Sequence, residues 1–266
     1  MNIKIRKDAL AAPAPATLDR LWRAMADIEG NPRSLQGRPA LAFGVDRIDA
    51  ALGGGLALGA LHEFAPSTSL HLGAATGLAL TLAARNGNKP VLWVQTEFAG
   101  CEAGSPYGLG LAELGLPLDR LLTLRVTSSG ETLWAMEEAL KCDVLAGVIA
   151  ELAHDGPIAG LTATRRLTLA ARAGGGCGFL LRHRPSPLAS AAETRWEIAA
   201  APSRPDRFGG LGRTAFHLSL TKNRRGPLGR WTVAWDHHER AFSALSLGVA
   251  QAAFDRSDRT PFVRAG

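Results

Sequence analysis

Cysteine is scarce: Cys101, Cys142 and Cys177 are the three in 266 residues. They are widely separated and form no CxxC pair, which argues against a disulfide framework or a zinc site. They read as buried thiols in a reducing compartment. Aromatic residues make up only 6%, so the core is expected mainly from Leu, Ala and Val. The longest apolar stretches, such as 78–84, stop far short of the ~20 residues needed to cross a bilayer. The basic N-terminus has a short apolar run broken by Pro13 and Pro15, unlike a secretory leader. A cytoplasmic location is therefore expected. Lysine is rare as well: five of the 30 basic residues, at 4, 7, 89, 141 and 222. None follows a glycine, and a phosphate loop needs that Gly-Lys step.

What is present is globular in character. Hydrophobic residues make up 46% and charged ones 20%, which excludes a disordered chain, a collagen and a coiled coil. Formal net charge is +6, unevenly spread. Residues 1–150 carry a balance of −2 and residues 151–266 a balance of +8. Between Arg165 and Arg230 there are 13 basic residues and three acids, Glu193, Glu197 and Asp206. Two readings stand: an anionic partner such as nucleic acid for the C-terminal half, or the Arg-rich, Ala-rich composition of a GC-rich genome.

Periodicity organises the chain. Leu18, Leu21, Trp22, Met25 and Ile28 recur at helical spacing over 17–29, with Thr17 as cap and Gly30-Asn31-Pro32 as stop. That helix either covers the core or docks on a partner. Residues 60–64 read as a strand, 73–85 as a helix, and 91–97 as an apolar strand buried on both faces. A helix follows over 107–114, then a strand over 121–126. Ser128 and Glu131 offer a capping box for a helix over 130–141. Strands at 144–152 and 177–183 flank a helix at 161–173 that carries Arg165 and Arg172 on one stripe. Such alternation implies a mostly parallel sheet with right-handed crossovers. Three further runs, 195–201, 214–221 and 230–236, are joined by Gly/Pro-rich turns, the last two as a β-hairpin with a basic tip at 223–229. Trp196, Trp231 and Trp235 fit core or sheet-face packing.

The stretch 43–64, FGVDRIDAALGGGLALGALHEF, is the most informative. Gly44, Ile48, Asp49, Leu52, Gly53, Gly54, Gly55, Leu56 and Gly59 fill the order that leads into the phosphate loop of the RecA recombinase family, which this segment resembles. The family's loop glycines then fall on Ala65 and Leu70, its lysine on His71 and its Mg²⁺ hydroxyl on Leu72. A Cβ crowds a backbone that wants φ > 0, and leucine offers a hard cation no oxygen. Ser67, Thr68 and Ser69 remain as weak anion contacts at a helix start. Glu97 occupies the place of the family's catalytic glutamate. It would be the general base if nucleotide were bound, and is otherwise a relic or a surface carboxylate. The Walker B acid falls near Glu151, and Lys222 and Arg224 resemble the family's late K-N-K, or simply form a basic hairpin with Arg225. The family's DNA-holding loops would be 153–160 and 184–193; both are short, with Arg182 and Arg184 near that face.

The whole resembles the ImuA family, inducible mutagenesis members of the RecA-like superfamily, over about Leu41 to Phe242. The resemblance implies an α/β RecA-like core over 40–245, with a mostly parallel sheet flanked by helices and an antiparallel hairpin toward the C-terminus. A short N-terminal helix and linker would occupy 1–39 and a tail 246–266. It implies a non-catalytic accessory of error-prone translesion synthesis, without cofactor or metal. Its partners would be ImuB, an error-prone C-family DNA polymerase and RecA. In the basic C-terminal half, Arg165, Arg172, Arg182, Arg184, Lys222, Arg224 and Arg225 are the candidate contacts for a partner or for DNA. Three rivals stay open: a cell-division inhibitor of the SulA type, an active RecA-like ATPase, and a bare DNA-binding module.

Overall fold

The computed structural model describes residues 39–153, 156–203, 205, 210 and 212–245. The expected N-terminal helix, the tail 246–266, and His154 and Asp155 of the first loop lie outside the described residues.

The chain opens with a two-stranded antiparallel ribbon, β1 (Ala40–Leu41) and β2 (Leu56–Ala57), enclosing helix α1 (Asp46–Leu52). This is the Gly-rich stretch singled out above, and its pattern has a structural cause. The Asp49 carboxylate accepts from the Phe43 and Gly44 amides at 2.6 and 2.8 Å, tying the helix to its own entry loop. Gly53 ends α1 in the left-handed region at φ 70°, ψ 36°, a helix stop that glycine adopts without strain. Gly55 sits at φ 129°, and a Cβ there would overlap the Leu41 carbonyl across the ribbon.

Alternating units follow: β3 (Leu61–Pro66), α2 (Leu72–Arg85), β4 (Val91–Thr96), α3 (Glu97–Ala103), α4 (Gly108–Glu113), β5 (Leu121–Val126), α5 (Ser129–Leu140), β6 (Gly147–Leu152), α6 (Leu161–Gly174) and β7 (Cys177–Arg182). The last strands are β8 (Thr194–Ala201), β9 (Ala215–Asn223), β10 (Gly229–Asp236) and β11 (Ala241–Ala244). Together they form a nine-stranded sheet in the order β11-β10-β9-β8-β3-β7-β6-β4-β5. Pairing is parallel from β8 to β5 and antiparallel from β8 to β11. The mostly parallel α/β core with a C-terminal antiparallel hairpin is thus present, extended by β11.

The period-2 alternation of strands divides the core between two faces. On one, Phe64, Trp93, Ile149, Phe179 and Trp196 meet α2. On the other, Leu61, Val148, Ala150 and Leu180 meet Leu133, Met136 and Leu140 of α5 and Leu167 of α6. Helix α5 starts on the expected cap, with the Glu131 amide donating to Ser128 Oγ at 3.2 Å. The Glu131 carboxylate reaches one residue further than expected, to the Thr127 amide at 2.8 Å.

The core is built mainly from Leu, Ala and Val, as expected, with its few aromatics concentrated in one place; the expectation of three buried thiols needs correction. Phe43, Trp196, Trp235 and Phe242 gather on the α2 face, with Phe43–Phe242 centroids 5.1 Å apart and Trp235–Phe242 4.8 Å. Large flat rings span the seam where parallel strands give way to antiparallel ones. Only Cys177 is buried; Cys101 and Cys142 are exposed. Burial pushes the Cys177 thiol up to about 12, so it is an inert packing group. Beside it lies a buried polar chain: Trp196 Nε1 donates to Thr194 Oγ1 at 2.9 Å, which pairs with His62 Nδ1 at 2.8 Å. His62 Nε2 meets the Ala57 carbonyl at 3.0 Å. Burial lowers His62 to about 4, which keeps it neutral near pH 7.

The two glycines give graded expectations. Gly55→Ala, forced into a conformation reserved for glycine and against Leu41, should lose about 2–3 kcal/mol in urea unfolding. Gly53→Ala, with no atom within 4 Å of its Cβ, should lose only about 1 kcal/mol. Equal losses would mean that the ribbon does not impose the constraint.

Candidate functional site

In open parallel sheets, ligands are met beyond the carboxyl ends of the strands. Here that edge gathers the end of β3, the turn into α2, the ends of β4 and β6, and His183 just past β7. The strand–turn–helix frame of a phosphate loop is present, but its chemistry is not. Ala65 lies inside β3, buried and paired with Glu197 of β8. Three amides of the turn already bond within the protein. Ser67 N donates to the Ile198 carbonyl at 2.8 Å and His71 N to Thr68 at 2.9 Å, while Leu72 N donates to Ser69. No residue from Ala65 to Leu72 has a positive φ, so no nest of amides forms. Leu70 stands 91% exposed. His71 turns to β8, its Nδ1 accepting from Ala200 N at 3.2 Å. Leu72 presents carbon where a magnesium ion would need oxygen. These residues do not fit a magnesium triphosphate.

The acidic remnants are split apart. Glu97 is exposed, and it is the first residue of α3 rather than the last of β4. Thr96 is the true cap, its side chain accepting from Ala99 N at 3.1 Å. Glu151 lies in β6, 2% exposed, with Oε1 2.6 Å from His183 Nε2. That carboxylate–imidazole pair was not legible in the sequence. It arises because β6 and β7 run parallel in register, with Leu152 opposite Arg182, so that His183 emerges next to Glu151.

The basic residues also sort differently from expectation. Arg182 is no surface contact: it is buried, donating from Nη2 to Glu63 Oε1 at 3.1 Å and to the Ala159 carbonyl at 2.9 Å. Glu63 also accepts from Ser190 Oγ at 2.6 Å and from Arg195 Nε at 2.5 Å. Burial alone would raise the Glu63 carboxyl, but Arg182, Ser190 and Arg195 outweigh it and hold the group below its ordinary range. Lys222 faces the same cluster from β9 and donates to the Ser190 carbonyl at 2.5 Å. Burial, then repulsion from Arg224 and Arg195, lowers its ammonium to about 8 against the pull of Glu63 and Glu193. Arg225, expected at the hairpin tip as a free cation, has its side chain buried, with Nε 3.1 Å from Glu193 Oε1. Arg224 and Arg172 are half-buried. Arg165 and Arg184 are the exposed members of the set. The positive charge of this half is thus spent partly on internal carboxylates. Among the described residues no His/Cys/Asp/Glu group has a metal-holding arrangement, and no helix is long and apolar enough to cross a membrane.

Comparison with known proteins agrees with this frame. No family model matches the chain. Protein ImuA of Caulobacter vibrioides strain NA1000 / CB15N is 36% identical over 214 residues, which cover 73% of this chain and 83% of that protein. The same protein from Caulobacter vibrioides strain ATCC 19089 / CIP 103742 / CB 15 matches with the same values. Among solved structures, the crystal structure of the RadB recombinase superposes with a TM-score of 0.55 at 19% identity, covering 77% of this chain and all of that one. The fold is therefore RecA-like.

The buried cluster yields two measurable consequences. Glu63→Gln strands Arg182 without its counter-charge and should lose about 3–5 kcal/mol in urea unfolding. Arg166→Ala, which breaks the pair between the exposed Arg166 and the half-buried Glu137, should lose no more than about 1 kcal/mol. A lysine that titrates near 8 when folded and near 10.5 when unfolded binds fewer protons in the folded state between those values. The Lys222 contribution to stability should therefore rise from pH 8 to 10.5 and be lost below 8. Unfolding at several pH values should show that rise in the parent chain relative to Lys222→Gln; parallel pH profiles would refute it.

Proposed function

Because the chain belongs to the ImuA family, a role in DNA-damage mutagenesis follows, and we propose that it acts there as a non-catalytic accessory. In this reading it serves error-prone translesion synthesis by holding other proteins together. Its partners are ImuB and an error-prone C-family DNA polymerase, with RecA as a further one. The observation that carries the reading is the 36% identity to ImuA across 83% of that protein's length.

Physical features support it. A sheet whose phosphate loop has lost its glycines, lysine and hydroxyl keeps its surfaces while giving up the electrostatics of phosphoryl transfer. The surface carries large apolar groups suited to protein contact: Leu122 and Leu124 on the edge strand β5, and Trp134 on α5, which is 61% exposed. DNA would meet Arg165 and Arg184, the exposed members of the predicted set. An accessory role in the cytoplasm needs no membrane segment. Family membership favours this reading over a cell-division inhibitor.

Co-purification tests it. Tagged full-length chain should retain ImuB through a salt wash at physiological ionic strength. Failure to retain ImuB, with both proteins folded, would reject the scaffold.

A further inference from the structure

On the α2 face of the sheet, a hollow of about 430 Å³ opens between the C-terminal end of α2, the segment 114–120 and the turn that joins β10 to β11. Three arginines line it, Arg85, Arg120 and Arg240, against one acid, Asp119. Asp119 is exposed and forms no ion pair among the described residues.

The three arginines are not equivalent. Arg120 is spent on the protein: its guanidinium donates to the Gly87 and Lys89 carbonyls and so ties down the turn after α2. Arg85, the last residue of α2, gives only Nη1, to the Phe43 carbonyl at 2.8 Å. Its other nitrogens have no partner among the described residues and are not sealed from solvent. Burial lowers the Arg85 guanidinium below its ordinary value, and the acid that opposes this, Asp49, already accepts from the Phe43 and Gly44 amides. Arg240 is exposed, with no hydrogen bond or ion pair among the described residues. It is also the one described non-glycine residue with a positive φ, 50°. Such a backbone is a strained choice for arginine, and strain of this kind gathers at functional sites. Its stem lies over Gly115, where a Cβ would come within 3.5 Å of Arg240 Cδ.

Two guanidiniums with open donors and no paired carboxylate thus face a concave surface that a solute can enter. A planar carboxylate matches the guanidinium fork. The hollow has the size of a small-ligand site rather than of a bare ion, and Leu114 and Pro117 give it an apolar wall.

We propose that this hollow binds a carboxylate carried on a short aliphatic group. The carboxylate lies between Arg85 and Arg240, and the aliphatic part lies against Leu114 and Pro117. The pocket stands apart from the accessory role: a chain that fails to hold ImuB would still take the acid.

The probe is N-acetyl-L-leucine, titrated into the full-length chain and followed by NMR at the backbone amides of Gly87, Gly115 and Arg240. Those amides should shift saturably. N-acetyl-L-leucinamide keeps the shape without the charge, and inorganic phosphate keeps a charge without the aliphatic group; each should bind about tenfold more weakly or not at all. Arg240→Asn removes the charge at an exposed position whose left-handed backbone suits asparagine, so the variant should fold, and it should weaken the acid about fivefold or more. No saturable binding of the acid, equal binding of the amide, equal binding of phosphate (an adventitious ion only), or binding undiminished by Arg240→Asn would overturn the proposal.

Discussion

A buried carboxylate holds this molecule together. Glu63 lies in the middle of the sheet, 2% exposed, and a lone charge there would be prohibitive. It is tolerated because Arg182 arrives from β7, Arg195 from β8 and Ser190 from the segment between them. Lys222 then docks on the Ser190 carbonyl from β9. One anion thus fastens four strands across the seam between the parallel and antiparallel halves. On the opposite face, the ring cluster around Trp196 and Phe43 closes the same seam by dispersion and area burial. Charge on one side and aromatic packing on the other give the two halves a single geometry.

That arrangement explains why basic residues were a poor guide to a surface. From sequence, Arg182 and Arg225 are two more cations in a run of thirteen. Their partners, Glu63 and Glu193, are distant in sequence, and only the register of β3 with β7 and β8 brings the first pair together. The alternation of strands and helices was legible because parallel strands buried on both faces leave continuous apolar runs, as in 91–96 and 147–152. Strand β11 was not legible: four residues, AFSA, carry too little pattern. Helix α3 was hidden because EFAGCEA is one short segment with a central glycine. The thiols misled because a lone cysteine has no local signature of depth. The glycines of the lead-in were read correctly as a pattern, yet their positive φ values serve the ribbon rather than a phosphate.

At the carboxyl edge of the sheet, frame and chemistry have parted. The strand, turn and helix that could present amides to a phosphate persist, but the Ser67, His71 and Leu72 amides bond within the protein, and alanine, leucine and histidine stand where the loop's glycines, hydroxyl and lysine would be. Nearby, Glu151 keeps an acidic place but is held by His183 instead of facing a metal–phosphate pair. A fold held by buried charge and packing does not by itself determine which site it carries. This separation between a scaffold that is intact and a cradle that is not supports the accessory reading, which the identity to ImuA carries.

The most direct measurement is calorimetric titration of magnesium ATP into the full-length chain. The account predicts no saturable heat of binding at millimolar nucleotide. Saturable uptake, with the triphosphate lodged against residues 65–72, would contradict it.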